Sequence, residues 1–337
     1  MHIRSPCPHI NLQKNTERFL RFRSGKGKKK MNQYFPEGVL VKSSENKAAV
    51  SSEQSLREAM NEGMILEAYV TMCTSSHDLI VDLGEVIGVI PREEGALGIK
   101  EGTVRDIAVI SRVNRAVCFI ITDIDTLPDG TVKATLSRAA AQRRCMEDFI
   151  ARLAPGDVID ASITHLEHFG AFADIGCGIP SLIPIDSMSV SRIEHPSQRF
   201  AVGERVKAVV RSVDGGRVCL SHKELLGTWE ENAACFEIGQ TVTGIVRSVE
   251  SYGAFVELAP NLAGLAELKD GIETGMRVSV YIKNIIPSKM KIKLIIIDAF
   301  NESVRPASPK YFFEGSKMVH FRYSPEGCEK VIETRFE

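Results

Sequence analysis

The chain lacks the marks of several protein classes. No run approaches the roughly 18 apolar residues of a membrane span, so no membrane partner is expected. The start has no apolar signal core behind its charges, which argues against secretion. The eight cysteines never form a Cys-x-x-Cys pair. That points to a reducing, cytoplasmic setting and away from a zinc ribbon or a disulfide framework. There is no nucleophile elbow, no His-Glu-x-x-His, no phosphate loop and no dinucleotide fingerprint. Acidic residues are abundant but unclustered. The expectation is a non-enzyme with no catalytic residues, no metal and no cofactor.

Charge of one sign is also missing overall, since the net charge is −1. It is unevenly spread, however. Residues 1–30 hold nine Lys or Arg and one Glu, net +8, which leaves 33 basic and 42 acidic residues, net −9, in 31–337. Any nucleic-acid binding by the body must rest on local basic sites and stacking. Residues 1–30 read either as a disordered basic arm or as a non-native extension ahead of Met31.

What is present is a stretch used twice. Phe169-Gly170-Ala171-Phe172 and Tyr252-Gly253-Ala254-Phe255 lie 83 residues apart. Each comes after an alternating apolar strand pattern and precedes an acidic–apolar step. The glycine is read as a sharp turn between two strands. Two residues separate the aromatics, so simple alternation cannot put both on one face. The turn must help place them. Two aromatics projecting from a small barrel suit a stacking platform for single-stranded nucleic acid. Buried core is the competing reading for Phe172 and Phe255.

The chain divides into a lead-in, three units with two connectors, and an extension. Residues 31–62 are the lead-in, with a short helix at 51–62 where Ser52 could act as cap. Residues 63–138 form a first strand-rich unit, with strands including Val104 to Ile110 and an inserted hairpin-like segment around 114–129. A linker helix at 139–154, starting from Ser137, carries Arg138, Arg143, Arg144 and Arg152 outside. The second unit is 155–224, with a tight turn at Asp214-Gly215-Gly216. A helical connector, 225–237, carries Trp229 as a docking residue. The third unit is 238–298, and 299–337 are an extension whose aromatics cover a hydrophobic face. Strand-rich units repeating at this spacing mark an all-β array of three small barrels. Other candidate contacts are His165 and His168 beside Phe169, and Lys289, Lys291 and Lys293. The three lysines alternate and so fall on one face of one strand, which suits phosphate contact or a protected sheet edge.

The order Gly-x-x-Val, strand, Phe-Gly-Ala-Phe, acidic residue, Ser-Leu-Ile, Gly-x-x-Val, Arg-Val-x-Leu-Ser resembles the S1-type RNA-binding domain, a five-stranded OB-fold barrel. The likeness is strongest over 155–226, good over 238–298 and weak over 63–138. The whole is similar to short, three-repeat S1-like bacterial proteins. The resemblance implies an RNA surface of two aromatics on strand two, a His on strand three, and an Asp and an Arg around strand five. On the second unit this marks Phe169, Phe172, Asp214 and Arg217, with Pro184 where the His would stand. On the third it marks Tyr252 and Phe255, with Lys291 near the Arg position, Glu267 for the His and Pro287 for the Asp. In the first unit, Ser76 and Leu79 stand in the aromatic positions.

Charge divides the units in the same way. The first has seven basic and eleven acidic residues, the second seven and nine, the third seven and six. An acidic unit without aromatics is a poor RNA binder. The expected function is non-catalytic binding of single-stranded mRNA in translation by units two and three. Residues 63–138 are expected to contact protein, either the small ribosomal subunit or another unit of the chain. The alternatives are an RNA-decay accessory and a protein scaffold whose barrels have drifted from RNA.

Overall fold

A computed structural model describes residues 34–300 and 309–337; residues 1–30, read as a basic arm or extension, lie outside these. Three closed five-stranded barrels succeed one another along the chain. The first comprises β1 (Leu66–Cys73), β2 (Leu79–Leu83), β3 (Val86–Ile90), β4 (Ala116–Thr126) and β5 (Val132–Ser137). The second comprises β6 (Val158–Glu167), β7 (Gly170–Asp174), β8 (Pro180–Pro184), β9 (Arg205–Asp214) and β10 (Arg217–Ser221). The third comprises β11 (Thr241–Glu250), β12 (Gly253–Ala259), β13 (Leu262–Ala266), β14 (Arg277–Ile286) and β15 (Lys291–Phe300). In each barrel the order is first-second-third-fifth-fourth, and the fourth strand pairs back on the first. Only the third and fifth strands run parallel. This is the OB-fold architecture.

Alternation builds the barrels: Val70, Ile163 and Val246 on the first strands point inward and are buried. One residue further on, each first strand carries a bulge, at Val70/Met72, Ile163/His165 and Val246/Ser248. A bulge bends the strand and re-aims the side chains beyond it. The extra residue is Thr71, Thr164 or Arg247. The two threonine hydroxyls donate to the facing carbonyls of Ile80 and Phe172.

The first unit departs from its sequence reading in two places. Val104 to Ile110 is no strand: its apolar residues end in α3 (Ile107–Ile110), within a segment that separates β3 from β4. Residues 114–129 are no insertion either, because they contain β4 itself. The inserted segment is the one before it, and its Val109 packs into the core beneath Gly95. A short apolar run has no periodicity that separates helix from strand.

The lead-in holds α1 (Ser44–Ala49) and α2 (Glu53–Asn61), the latter capped by Ser52 as read. The linker helix α4 (Arg138–Asp148) is capped by Ser137. Its Arg138 does not face outward. It is buried, with two hydrogen bonds to Glu37 and one to the Gly95 carbonyl. The second connector is broken at Gly227 into a 3-10 turn (Lys223–Leu226) and α5 (Trp229–Ala233), which Thr228 and Glu231 close with a capping box. Trp229 is buried in a core that joins Val209 of the second barrel to Val256 and Ile282 of the third.

The extension joins the same core through Met318, Phe321, Tyr323 and Phe336, and β16 (His320–Arg322) pairs with β17 (Glu333–Arg335). It packs on the second barrel as well as the third. Val158 and Met318 exchange backbone bonds across it with Ser316 and Gly156, and the Lys207 amide donates to the Tyr311 hydroxyl.

Candidate nucleic-acid interface

The paired aromatics are set by three local features. Past its bulge, β6 brings His165 opposite Phe172. The two-residue turn is His168-Phe169, and Gly170 is already the first residue of β7. The glycine is therefore not the turn residue expected from sequence. It is needed for close approach: a Cβ on Gly170 would lie 2.6 Å from the Ile183 carbonyl oxygen, and one on Gly253 would lie 2.6 Å from that of Ala266. Because Phe169 sits in the turn, it can share a surface with Phe172. The rings meet edge to face at 6.0 Å, with Phe169 57% exposed and Phe172 half-buried. In the third barrel Tyr252, 66% exposed, meets Phe255 in the same way at 6.2 Å.

The registers then carry the surface across the sheet. Phe172 faces Leu182, which neighbours Cys219 on β10, and Phe255 faces Leu265, which neighbours Lys293 on β15. Arg217 pairs with Asp214 across the tight turn, where Gly215 and Gly216 both have positive φ, and both charged residues are exposed. Lys291 holds the place of Arg217, and its partner is Ile286. The acidic position of the third barrel is thus Ile286, one residue before Pro287.

Lys289 is not on the strand with Lys291 and Lys293. It ends a 3-10 turn (Pro287–Lys289), and Met290 comes next at φ +48°, a left-handed conformation that breaks the alternation.

In the first barrel the register is one residue off the sequence reading. Ile80, facing Met72, takes the place of Phe172, and Leu79 is fully buried like Ala171. His77, not Ser76, takes the place of Phe169. It sits 3.6 Å from Asp106 of the inserted segment, which also pairs with Arg92 at 2.7 Å. The platform position is therefore tied down by the chain's own insert. Sequence reading also missed Lys133, which pairs with Asp125 at the Arg217/Asp214 position. The signal was the Pro-Asp-Gly turn, whose flanking strands give that pair once they are zipped.

His165 stacks on Phe172 at 6.4 Å, and its Nε2 lies 2.7 Å from Glu167 Oε1. His168 meets His195, which sequence reading did not single out, edge to face at 5.0 Å. Among the described residues no His, Cys, Asp or Glu cluster could hold a metal ion.

Two buried charged groups sit at the barrel junctions. At the first, the lead-in brings Glu37 between Arg138 and the Cys118 amide, and Asp174 accepts from the Glu37, Gly176 and Gly178 amides. Burial works to raise the Glu37 carboxyl, but Arg138 and Arg112 leave it below the ordinary range. The negative charge therefore settles on Glu37. Burial and the Glu37 charge push Asp174 up to about 7. Burial above all pushes Glu67 up to about 8, and among the described residues one of its carboxyl oxygens has no hydrogen-bond partner. At the second junction Arg199 and Arg247 both clasp the buried Glu257, and the Asn261 side chain accepts from the Val190 amide and donates to the carbonyls of Lys223 and Gly227.

The chain resembles known proteins in sequence. Residues 152–223 match the S1 RNA binding domain. The chain is 29% identical over 278 residues to a small ribosomal subunit protein bS1 homolog of Bacillus cereus, covering 77% of this chain and 70% of that one. It is 28% identical to Staphylococcus aureus small ribosomal subunit protein bS1, covering 81% and 71%. Chlamydia muridarum bS1 is 34% identical over 41% of this chain and 27% of its own. Residues 152–223 are thus an S1 RNA-binding domain, and over most of its length the chain is homologous to the bacterial small ribosomal subunit protein bS1.

Proposed function

We propose that this chain is a non-catalytic protein of the cytoplasm that binds single-stranded mRNA in translation through its second and third barrels. The observation that carries the reading is the duplication of one aromatic pair, an exposed ring edge to face with a half-buried one, on two barrels. Bases stack on Phe169 and Phe172 and on Tyr252 and Phe255, while Arg217, Lys291 and Lys293 meet phosphates. Stacking is tolerant of sequence, so the chain accepts many messages.

The first barrel contacts protein. It lacks the aromatics, is acidic, and exposes Tyr69, Met72 and Ile87. Its partner is the small ribosomal subunit, the particle named in the bS1 relatives.

The test is a fluorescence-anisotropy titration of the full chain with a pyrimidine-rich RNA of about 12 nucleotides, long enough for more than one OB barrel. Each lost stack costs about 1–3 kcal/mol. The variant with Phe169, Phe172, Tyr252 and Phe255 all changed to Ala is expected to bind at least about 100-fold more weakly. Equal binding by wild type and variant would sink the stacking mechanism. Co-sedimentation with small subunits that persists in that variant is the expected sign of contact by the first barrel.

A further inference from the structure

The two platforms differ in their surrounding charge. Around the aromatic pair of the second barrel stand three partly or fully exposed histidines: His165, His168 and His195. At the matching places the third barrel has Ser248 and Ser251. Its segment between β13 and β14 is shorter than that between β8 and β9 and contains no histidine. Lysines are its cations instead.

We propose that the second barrel takes up protons as it grips RNA. Protonated His165, His168 and His195 meet phosphates of the strand stacked on Phe169 and Phe172, whereas the third barrel grips through lysine charge that does not change near neutral pH. This rests on the RNA-binding reading above and adds its regulation.

The contacts give the coupling a physical basis. With His165 neutral, the Glu167 carboxylate at 2.7 Å presents bare negative charge beside the platform and repels phosphate. Protonating the ring cancels it. His168 and His195 meet edge to face at 5.0 Å, so one phosphate beside the pair reaches both rings. Beyond this contact, His195 Nδ1 accepts from the Ser197 amide and lies against the Ser197 hydroxyl, so a proton enters that ring at the expense of the amide bond. From β7 the group facing His165 is Phe172. Asp174, at the far end of that strand, is buried under the lead-in. His222, on the other side of the barrel, is held neutral by burial down to about pH 4.

The sign comes from linkage. Bound phosphate raises an imidazole's proton affinity. The extra grip is therefore complete below the free protein's titration and is lost as pH rises through that of the complex, in the range of about pH 5–8 where imidazole changes charge.

The experiment is titration of the full chain with the same RNA at about pH 6 and pH 8, where imidazole protonation differs most, each at two salt concentrations. Binding is expected to tighten by roughly threefold to tenfold at the lower pH, the effect of one or two partly exposed charge-assisted contacts. The salt slope is expected to steepen by about 0.7 for each phosphate so met. The variant H165Q/H168Q/H195Q is expected to lose the pH dependence. In the variant Tyr252→Ala/Phe255→Ala, where the second barrel acts alone, the dependence is expected to grow. Imidazole NMR signals of the wild type should titrate at higher pH with RNA than without. A pH dependence that survives in the triple histidine variant would trace it to other groups, Asp174 among them, and would overturn the proposal. Equal wild-type affinity at both pH values would overturn the proposal and leave the RNA reading standing. No binding at either pH would overturn both.

Discussion

At the residue scale, the groups hardest to read in the sequence are the buried charges. Arg138 falls on a helix among other arginines and reads as a solvated face. Only the fold reveals that Glu37, about a hundred residues earlier, lies against it. Glu67 sits inside an alternating strand where a buried acid breaks the pattern. With its folded value near 8 and an ordinary carboxyl near 4.5 when unfolded, it contributes stability that is complete below about pH 4.5. That contribution is lost as pH rises through about 8. The wild type is therefore expected to lose stability between pH 5.5 and 8 in urea unfolding, and Glu67→Gln to show a shallower loss. At pH 8 the variant should be the more stable by on the order of 3 kcal/mol. A steeper loss in the variant would contradict the burial of a neutral carboxyl. At the other junction, Glu257→Gln leaves Arg199 and Arg247 buried without their shared partner. A loss of about 3–5 kcal/mol is expected by the same measurement.

At the scale of elements, the repeated barrels were legible because strand alternation and turn glycines are local signals, printed twice with little change. Register was not, because each first strand carries a bulge. One extra residue moves every later side chain to the other face. The first barrel's turn between its first two strands is also one residue longer, since Met72 faces Ile80 eight residues on whereas His165 faces Phe172 seven on, so its platform is Ile80 with His77 rather than Leu79 with Ser76. The left-handed Met290 likewise takes Lys289 off the lysine face. The duplicated glycine is visible in the sequence, but its reason is not: a neighbouring carbonyl, a contact between strands, demands it. Gly170→Ala is accordingly expected to cost about 1–3 kcal/mol through forced backbone movement. It should weaken RNA binding together with stability, as read by urea unfolding and anisotropy. An alanine variant of unchanged stability would show that the strand spacing tolerates a side chain. Lys293→Ala should lower the salt slope of binding by about 0.7, one phosphate on a single strand, and should do so more than Lys289→Ala.

At the scale of the molecule, the second and third barrels are tied together by the extension rather than strung on a flexible linker. Its Met318, Phe321, Tyr323 and Phe336 fill the core that holds Trp229. The Tyr323 hydroxyl donates to the Asn261 carbonyl at 2.6 Å, and the Phe312 amide donates to the Leu225 carbonyl. On the proposed reading, two platforms in fixed relation give one strand a high effective concentration for its second contact. On that reading the extension serves binding by fixing the two platforms. His222 gives the seam an acid limit, since its ring packs between Phe200 and Tyr311 at 4.9 and 5.6 Å. Its folded value near 4 lies below an ordinary imidazole, so its share of stability is present above about pH 6.5 and is lost as pH falls through 4. Removing residues 309–337 is expected to separate the unfolding of the two barrels. Trp229 fluorescence and far-UV circular dichroism, coincident for the full chain, should then trace different urea curves. Affinity for an RNA spanning both barrels should fall by at least about 100-fold, the low end of linked-site gains, while affinity for a tetranucleotide confined to one barrel falls far less. Equal losses for the long and the short RNA would mean that the extension supports the fold of each barrel and not their joint grip.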